Sequence, residues 1–245
     1  MTRIRLKNVN FSYRYFPSIS GGLLRSNAGL RSHLVFENFN LDIHDGDRVA
    51  LLGVNGAGKS TLLKIMAGVY TPERGEVISK GKIYSFFGRS IGVMPQLSGL
   101  ENLEIRGLLL NLPDEIIQNK IKQIIDFSEL GEAIYRPVST YSVGMRTRLT
   151  FGMLMFVEAD IMLIDEGLGA GDKFFLKKAQ KFIESLLDSS KILVFANHSM
   201  ELLKKFCNKA VLIDAGEIIQ FGELDKVIHL YNHLRHLELK TNNAK

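Results

Sequence analysis

The residues with the most chemistry to offer lie in one run, Gly53-Val54-Asn55-Gly56-Ala57-Gly58-Lys59-Ser60-Thr61. The run follows the apolar Val49-Ala50-Leu51-Leu52 and opens into Leu62-Leu63-Lys64-Ile65-Met66, so the expected order is strand, glycine-rich turn, helix. Glycine at 53, 56 and 58 admits backbone conformations closed to residues with a Cβ, so several N–H groups can converge on one concavity. The amino end of the following helix adds unpaired donors and the positive end of a dipole. A phosphate suits that concavity. Lys59 then reaches the β- and γ-phosphates of a nucleotide, and the Ser60 hydroxyl can ligate Mg²⁺. Glycines alone would read equally well as a tight βα connection; Lys-Ser after the last Gly points to a nucleotide.

Two further groups of residues fit the same chemistry. The apolar run Ile161-Met162-Leu163-Ile164 ends in Asp165-Glu166. An acidic pair at the end of a buried strand can place one carboxylate on Mg²⁺ and the other beside an attacking water. A second apolar run, Ile192 to Ala196, is followed by Asn197-His198-Ser199, which puts His198 at the ligand edge of an α/β sheet. His229, His233 and His236 also recur at helical spacing near the end of the chain. No further metal ligands accompany them, so they read as exposed side chains of a helix.

The elements that must position these groups follow from periodicity. Ile4 to Tyr13 alternates as an edge-type strand, and a second strand is expected from about Val35 to Ile43, with Asp45-Gly46-Asp47 turning into the phosphate-loop strand. Residues 14–34 are longer than a usual connection and carry Pro17, Gly21, Gly22 and Gly29 beside Leu23, Leu24, Leu30, Arg25 and Arg31. They read as a surface loop or as a short amphipathic segment that meets a partner or a membrane. Glu76 to Phe87 reads as short strands broken at Lys80-Gly81. Leu100–Leu112 and Asp114–Phe127 are helical by spacing, separated by Pro113, with Asp114 as the expected cap. Together they form a helical insertion between the two halves of the sheet. Helices follow at Ser142–Val157, Phe174–Leu187 with Asp172 as cap, and Glu223 to about Leu239; strands are expected at Lys209–Asp214 and Glu217–Phe221.

The whole chain sets bounds on this picture. It has 245 residues, 46% apolar and 23% charged, which is ample for a sizeable core in a soluble α/β protein. The lone Cys207 cannot form an internal disulfide and fits a reducing compartment. No secretory signal, bilayer-length apolar run, internal repeat or low-complexity tract is evident. The formal charge of +5 permits contact with an anionic membrane surface or nucleic acid without requiring either.

In chain order, the phosphate loop, Tyr141-Ser142-Val143-Gly144-Met145, Asp165-Glu166 and His198 make the chain resemble an ABC-type ATPase subunit over nearly its whole length. Within that family it is most similar to the ATP-binding subunits that export polysaccharides: lipopolysaccharide O-antigen, capsule or teichoic acid. Three strings carry that closer likeness, Thr140 to Leu149, Ile164 to Asp172, and Asn197-His198-Ser199-Met200-Glu201. The resemblance implies an α/β fold of the ABC-type P-loop NTPase kind: a mostly parallel central sheet, an N-terminal antiparallel β subdomain and a helical subdomain. It implies one domain over residues 1–245. The nucleotide-binding core would take about 1–95 and 158–222, the helical subdomain with the signature motif about 96–157, and a C-terminal helix and tail 223–245.

Site roles follow from the resemblance, position by position. Gly53, Val54, Asn55, Gly56, Ala57, Gly58, Lys59, Ser60 and Thr61 would bind ATP. Tyr13 matches the aromatic that stacks on adenine; Tyr15 is an alternative, and so is a packing role for Tyr13. Ser142, Val143, Gly144 and Met145 match a signature motif that normally reads Leu-Ser-Gly-Gly-Gln and contacts the γ-phosphate held by the other subunit of a dimer; Val143 departs from its small residue. Asp165 matches the Mg²⁺-associated carboxylate, Glu166 the residue that polarises water, Asp172 the loop linking the sites across the dimer, and His198 the γ-phosphate sensor. Lys59, Glu166 and His198 form the implied catalytic set. Gln96, in Met94-Pro95-Gln96, matches the metal-sensing glutamine, with a neighbour nearer Met94 as the alternative.

The implied cofactors are ATP and Mg²⁺. The implied partners are a second copy of the chain and two integral-membrane permease subunits, with a lipid-linked polysaccharide as cargo and no nucleic acid, at the cytoplasmic face of the bacterial inner membrane. Thr241–Lys245 is a polar tail without room for a carbohydrate-binding domain, which favours capsule-like exporters or O-antigen exporters that read no terminal sugar cap. A soluble ABC-type ATPase acting on ribosomes or DNA is the alternative; such proteins pair two ATPase units or carry long insertions, and neither is evident. A GTP switch protein would want Asn-Lys-x-Asp, and Asn208-Lys209-Ala210-Val211 lacks the Asp.

Overall fold

The computed structural model describes residues 1–15, 30–87, 92–165 and 173–242. In chain order the elements begin with β1 (Arg3–Tyr15), β2 (Arg31–His44), β3 (Arg48–Leu52), α1 (Lys59–Met66), β4 (Arg74–Lys80) and β5 (Ile83–Phe87). Helices α2 (Gly99–Leu109), α3 (Asp114–Ser128) and α4 (Val143–Leu154) follow, with two short 3₁₀ turns between the last pair. The remainder is β6 (Ile161–Asp165), α5 (Lys173–Ser189), β7 (Ile192–Ala196), α6 (Met200–Phe206), β8 (Lys209–Asp214), β9 (Glu217–Glu223) and α7 (Leu224–Asn242). Backbone proximity divides the chain into one unit of Met1–Ile83, Asp160–Asp165 and Lys191–Lys245, and a second of Tyr84–Ala159 and Glu166–Ser190.

In the first unit β1, β2 and β4 form an antiparallel sheet of order β2-β1-β4. Strand β1 is therefore central, not an edge strand. It pairs with β2 from Arg3 to Tyr15 and with β4 from Arg3 to Asn10. The alternation behind the edge expectation has another cause: Ile4, Leu6, Val9 and Phe11 are buried while the intervening side chains reach water, as in an antiparallel sheet covered on one face. Strand β2 also starts earlier than expected. Residues 31–34 pair with 12–15, so only 16–29 of the long connection lies outside the described residues.

The larger sheet has the order β5-β6-β7-β3-β8-β9. Strands β6, β7, β3 and β8 run parallel, and β9 returns antiparallel to β8. Val49 to Leu52, Ile161 to Ile164 and Ile192 to Ala196 are buried throughout, as parallel strands covered on both faces must be. The expected mostly parallel core with an antiparallel N-terminal sheet is the observed fold.

The second unit packs α2, α3 and α4 around Leu103, Ile117, Ile121, Ile124, Leu149 and Met153. The helices approach closely because glycines face the contacts: a Cβ on Gly107 would lie 2.6 Å from Ile117, and one on Gly152 2.4 Å from Ile124. Helix α2 begins in a capping box, with the Glu101 N–H donating to Ser98 Oγ (3.1 Å) and the Ser98 N–H to Glu101 Oε2 (2.7 Å). Asp114 is not the cap of α3. Pro113 occupies that place in an extended conformation and Asp114 is the first helical residue, where its carboxylate still meets the positive helix end. Helix α4 ends at Leu154, three residues short of the expected Val157. Among the described residues no helix is long and apolar enough to cross a membrane.

Candidate functional site

Strand register assembles the site of the first unit. Leu51 of β3 pairs with Ala196 of β7, and Ala196 with Asp165 of β6. Those three residues form one row at the carboxyl edge of the sheet. The phosphate loop leaves that edge after Leu52, Asp165 ends its strand on the row, and His198 follows two residues beyond Ala196. With strands about 4.8 Å apart, Asp165 sits roughly 10 Å across the sheet from the strand that feeds the loop. Three groups far apart in sequence thus share the edge where ligands bind in parallel α/β sheets.

The loop itself needs its glycines. Gly53, Gly56 and Gly58 have φ of 149°, 85° and 103°. Gly53 approaches the next strand so closely that a Cβ would lie 2.3 Å from the Ile213 carbonyl oxygen; at Gly58 it would lie 2.8 Å from Cζ of the buried Phe36. Gly58 also caps α1, and its carbonyl accepts the Leu62 N–H at 2.8 Å. The amides ahead of Leu62 therefore precede the first helical hydrogen bond and point out of the amino end of α1. Lys59 Nζ donates to the carbonyls of Gly53 (2.7 Å) and Val54 (2.9 Å), which holds the ammonium across the loop where it can shift onto a phosphate.

The two hydroxyls after Lys59 are used differently. Ser60 is exposed, whereas Thr61 is buried and its Oγ1 lies 2.9 Å from the Tyr13 hydroxyl. The Tyr13 ring packs edge-on against Phe11 (5.2 Å) and Tyr70 (5.8 Å). Burial pushes its phenol above the ordinary value, so it remains protonated. Tyr13 is both a packing residue and a partly exposed ring beside the loop, while Tyr15 lies one rung further along β1. Asn197 Oδ1 accepts the Ser199 N–H (2.7 Å), shaping the turn that carries His198. Helix α7 contributes too: Tyr231, Leu234 and Arg235 line a small cavity with Gly53, Val54 and Ile213.

The second unit holds the other motif residues. Ser142 caps α4, its Oγ accepting the Met145 N–H at 3.2 Å. The first turn of α4 has no acidic residue, and Val143 is 75% exposed. Ser142, Val143 and Gly144 thus surround a helix amino end suited to an anion. Gln96 is exposed in a turn closed by the Leu97 N–H on the Met94 carbonyl (3.2 Å). The residue that builds this turn was not legible as a site residue. Asn102, 2% exposed, accepts the Met94 N–H through Oδ1 (2.7 Å) and donates through Nδ2 to the carbonyls of Met94 (3.0 Å) and Ser98 (2.8 Å). Glu101, Glu104 and Arg106 share its helix, so no sequence signal marks it; its need for partners shows only once it is buried.

Glu166 and Asp172 lie outside the described residues. His229, His233 and His236 are exposed on α7, and among the described residues no group of three His, Cys, Asp or Glu could hold a metal ion. The donors near the phosphate loop suit Mg²⁺ instead: the exposed Ser60 hydroxyl and the Asp165 carboxylate are hard oxygen ligands, few enough to leave places for phosphate and water.

Residues 36–169 match the family described as ABC transporter. The chain is 38% identical over 233 residues to the O-antigen export system ATP-binding protein RfbE of Yersinia enterocolitica, covering 90% of this chain and 98% of that protein. It is 34% identical over 232 residues to the teichoic acids export ATP-binding protein TagH of Staphylococcus epidermidis, covering 93% and 87%. The Bacillus anthracis protein of that name is 33% identical over 94% of this chain, which spans only 42% of that relative's length. Among solved structures, a dimeric ATP-binding cassette in a post-hydrolysis state bound to ADP and Pi superposes with a TM-score of 0.67 at 22% identity, covering 90% of this chain and 98% of the other. The ATP-binding subunit of an ABC transporter superposes at 0.70 and 18% identity, covering 97% and 98%.

Proposed function

The chain belongs to the ABC transporter family, and we propose that it is the ATP-hydrolysing subunit of a bacterial polysaccharide exporter. The observation that carries the enzymatic half is the single row of Leu51, Ala196 and Asp165, which sets the phosphate loop, the Asp165 carboxylate and His198 on one sheet edge. The export half rests on the names of relatives aligned along most of this chain. The cargo is a lipid-linked polysaccharide of O-antigen, capsular or teichoic-acid type. The subunit works at the cytoplasmic face of the membrane, docked on two permease subunits.

In this reading the triphosphate lies in the concavity of Gly53 to Thr61. The backbone amides at the amino end of α1 hold its oxygens, and Lys59 leaves the Gly53 and Val54 carbonyls for the β- and γ-phosphates. Ser60 and Asp165 would hold Mg²⁺, and Gln96 or a neighbour would be the residue that senses it. Bound there, Mg²⁺ would supply positive charge to offset the negative charge that develops on the phosphate oxygens. Glu166 orients the water and takes its proton, and His198 hydrogen-bonds the γ-phosphate. The Ser142 end of α4 and Asp172 complete the site of a second copy, so two sites form only in a dimer.

A complementation experiment tests the export role. Cells lacking this gene should accumulate lipid-linked polysaccharide on the cytoplasmic side. The wild-type gene should clear it, and a Lys59→Ala variant should not. Normal surface polysaccharide in the deletion strain, together with co-sedimentation of the protein with ribosomes, would replace this reading by the soluble ribosome-directed alternative.

A further inference from the structure

The hairpin of β1 and β2 outruns its sheet. Strand β4 pairs with β1 only as far as Asn10, so beyond it residues 11–15 are paired on the β2 side alone and form a two-stranded arm. Along this arm Phe11 stands opposite Phe36, Tyr13 opposite His33, and Tyr15 opposite Arg31. Residues directly opposite in an antiparallel pair share a face, and alternate residues along one strand share it too. One face of the arm therefore carries three rungs, Phe11 with Phe36, then, beyond a register shift in which β2 takes one extra residue, Tyr13 with His33 and Tyr15 with Arg31.

Three contacts fix where that face looks. Phe36 lies under Gly58, 2.8 Å from where a Cβ would be; the Tyr13 hydroxyl meets Thr61 Oγ1 at 2.9 Å; and the Phe11 ring stacks on Tyr70 at 5.3 Å. All three point toward α1 and the turn that follows it. Arg14, between Tyr13 and Tyr15 in β1, belongs to the opposite face by alternation and pairs with Glu73 through Nε (3.0 Å) and Nη2 (2.8 Å). The inner rung is filled by packing against the phosphate loop. The outer two are not: Tyr13 and Tyr15 are 36% and 48% exposed, and His33 and Arg31 are exposed. Among the described residues the side chains of His33 and Arg31 have no hydrogen-bond or ion-pair partner.

We infer that His33 and Arg31 are nucleoside-binding residues, which grip the base and ribose of ATP across the arm from Tyr13 and Tyr15. The inference rests on the nucleotide reading above. With the phosphates held by Gly53 to Thr61, the nucleoside leaves the loop past the first turn of α1, where Thr61 meets Tyr13. The arm's rungs of one face repeat about every 7 Å, close to the span of a purine nucleoside. A His ring offers a flat surface and an N–H for a ribose hydroxyl, and a guanidinium stacks its plane on the face of a base. Both residues sit opposite an aromatic ring, so a base on this face meets π-surface from β1 and polar planes from β2.

Equilibrium binding of Mg²⁺·ATP and of Mg²⁺·tripolyphosphate to the full chain tests this, with His33→Ala, Arg31→Ala and Arg14→Ala. The first two should each weaken ATP about fivefold to tenfold, the loss of one polar or stacking contact. They should leave tripolyphosphate, the thermal midpoint and kcat at saturating ATP unchanged, so that only KM rises. Arg14→Ala removes the same charge from the opposite face and should leave ATP affinity within twofold. The inference is overturned if both β2 variants bind ATP as the wild type does, if they lose tripolyphosphate equally, or if Arg14→Ala matches their effect. A wild-type chain that binds neither ligand would overturn the nucleotide reading itself.

Discussion

Alanine at the three loop glycines should cost different amounts, and the surroundings of each say how much. All three have positive φ, where an L-residue carries a penalty of about 1–2 kcal/mol. Gly56 has nothing within 4 Å of an added Cβ, so Gly56→Ala should cost that penalty alone. At Gly58 the Cβ would also press on Phe36 Cζ (2.8 Å), Phe36 Cε1 (3.0 Å) and Val35 Cγ1 (3.2 Å). Phe36 is fully buried against Phe39, with ring centres 4.7 Å apart, so it cannot swing away. Overpacking of that kind adds about 1–3 kcal/mol, for a total of about 2–5 kcal/mol. Gly53→Ala meets backbone, the Ile213 carbonyl oxygen at 2.3 Å, and should cost most because β8 must move. The assay is thermal unfolding of the nucleotide-free protein, in which each kcal/mol lowers the midpoint by about 2–4 °C for a chain of this size. A double-mutant cycle adds a sharper test: Phe36→Leu should recover part of the Gly58→Ala loss and none of the Gly56→Ala loss. Equal midpoints for the Gly56 and Gly53 variants, or no coupling between 58 and 36, would refute the account of the loop.

Three other outcomes follow from single side chains. Ser142→Ala removes the acceptor of the Met145 N–H and should destabilise by about 1 kcal/mol, whereas Ser142→Asp keeps the cap but should abolish ATP turnover by placing a charge against the γ-phosphate; turnover that tracks stability through both variants would reduce Ser142 to a cap. Burial pushes the Cys207 thiol up to about 12, so an aromatic disulfide reagent at pH 8 should label it far more slowly in native protein than in urea, and equal rates would contradict its burial. Hydrogen bonds from Arg148 and Lys178 hold the Glu129 carboxyl below its ordinary value. That contribution is present above the unfolded carboxylate pKa near 4.3 and is lost as pH falls through the lower folded value. Urea midpoints of wild type and Glu129→Gln should differ slightly at pH 6 and converge in acid; a gap independent of pH would show that another interaction is responsible.

The parts legible in the sequence are those with local causes. The phosphate loop declares itself through glycine spacing and flanks, and β3, β6 and β7 through unbroken apolar runs that only a doubly covered strand tolerates. What was not legible depends on partners distant in the chain. The central place of β1 comes from β4, some 70 residues away. The start of β2 at Arg31 is held by pairing with Tyr15, since its first residues are exposed and carry no apolar alternation. Helix α6 spans seven residues, too few for a period to show, and stands on the Ser199 cap of the Leu202 N–H. Asn102 looks like any polar residue until the Met94 turn folds over it. The cap of α3 lies one residue before the expected Asp114 because Pro113 already supplies the extended geometry that a cap requires.

In the proposed mechanism one jaw of the active site closes on ATP only with a second copy of the chain. Glu166→Gln tests it most directly, since the variant keeps every proposed phosphate contact and removes the group that accepts the proton from water. Sedimentation of that variant should show a monomer alone or with ADP and a dimer with Mg²⁺·ATP, while turnover falls by roughly 10²–10⁴-fold. Wild-type turnover, or a mass that ignores ATP, would contradict the account.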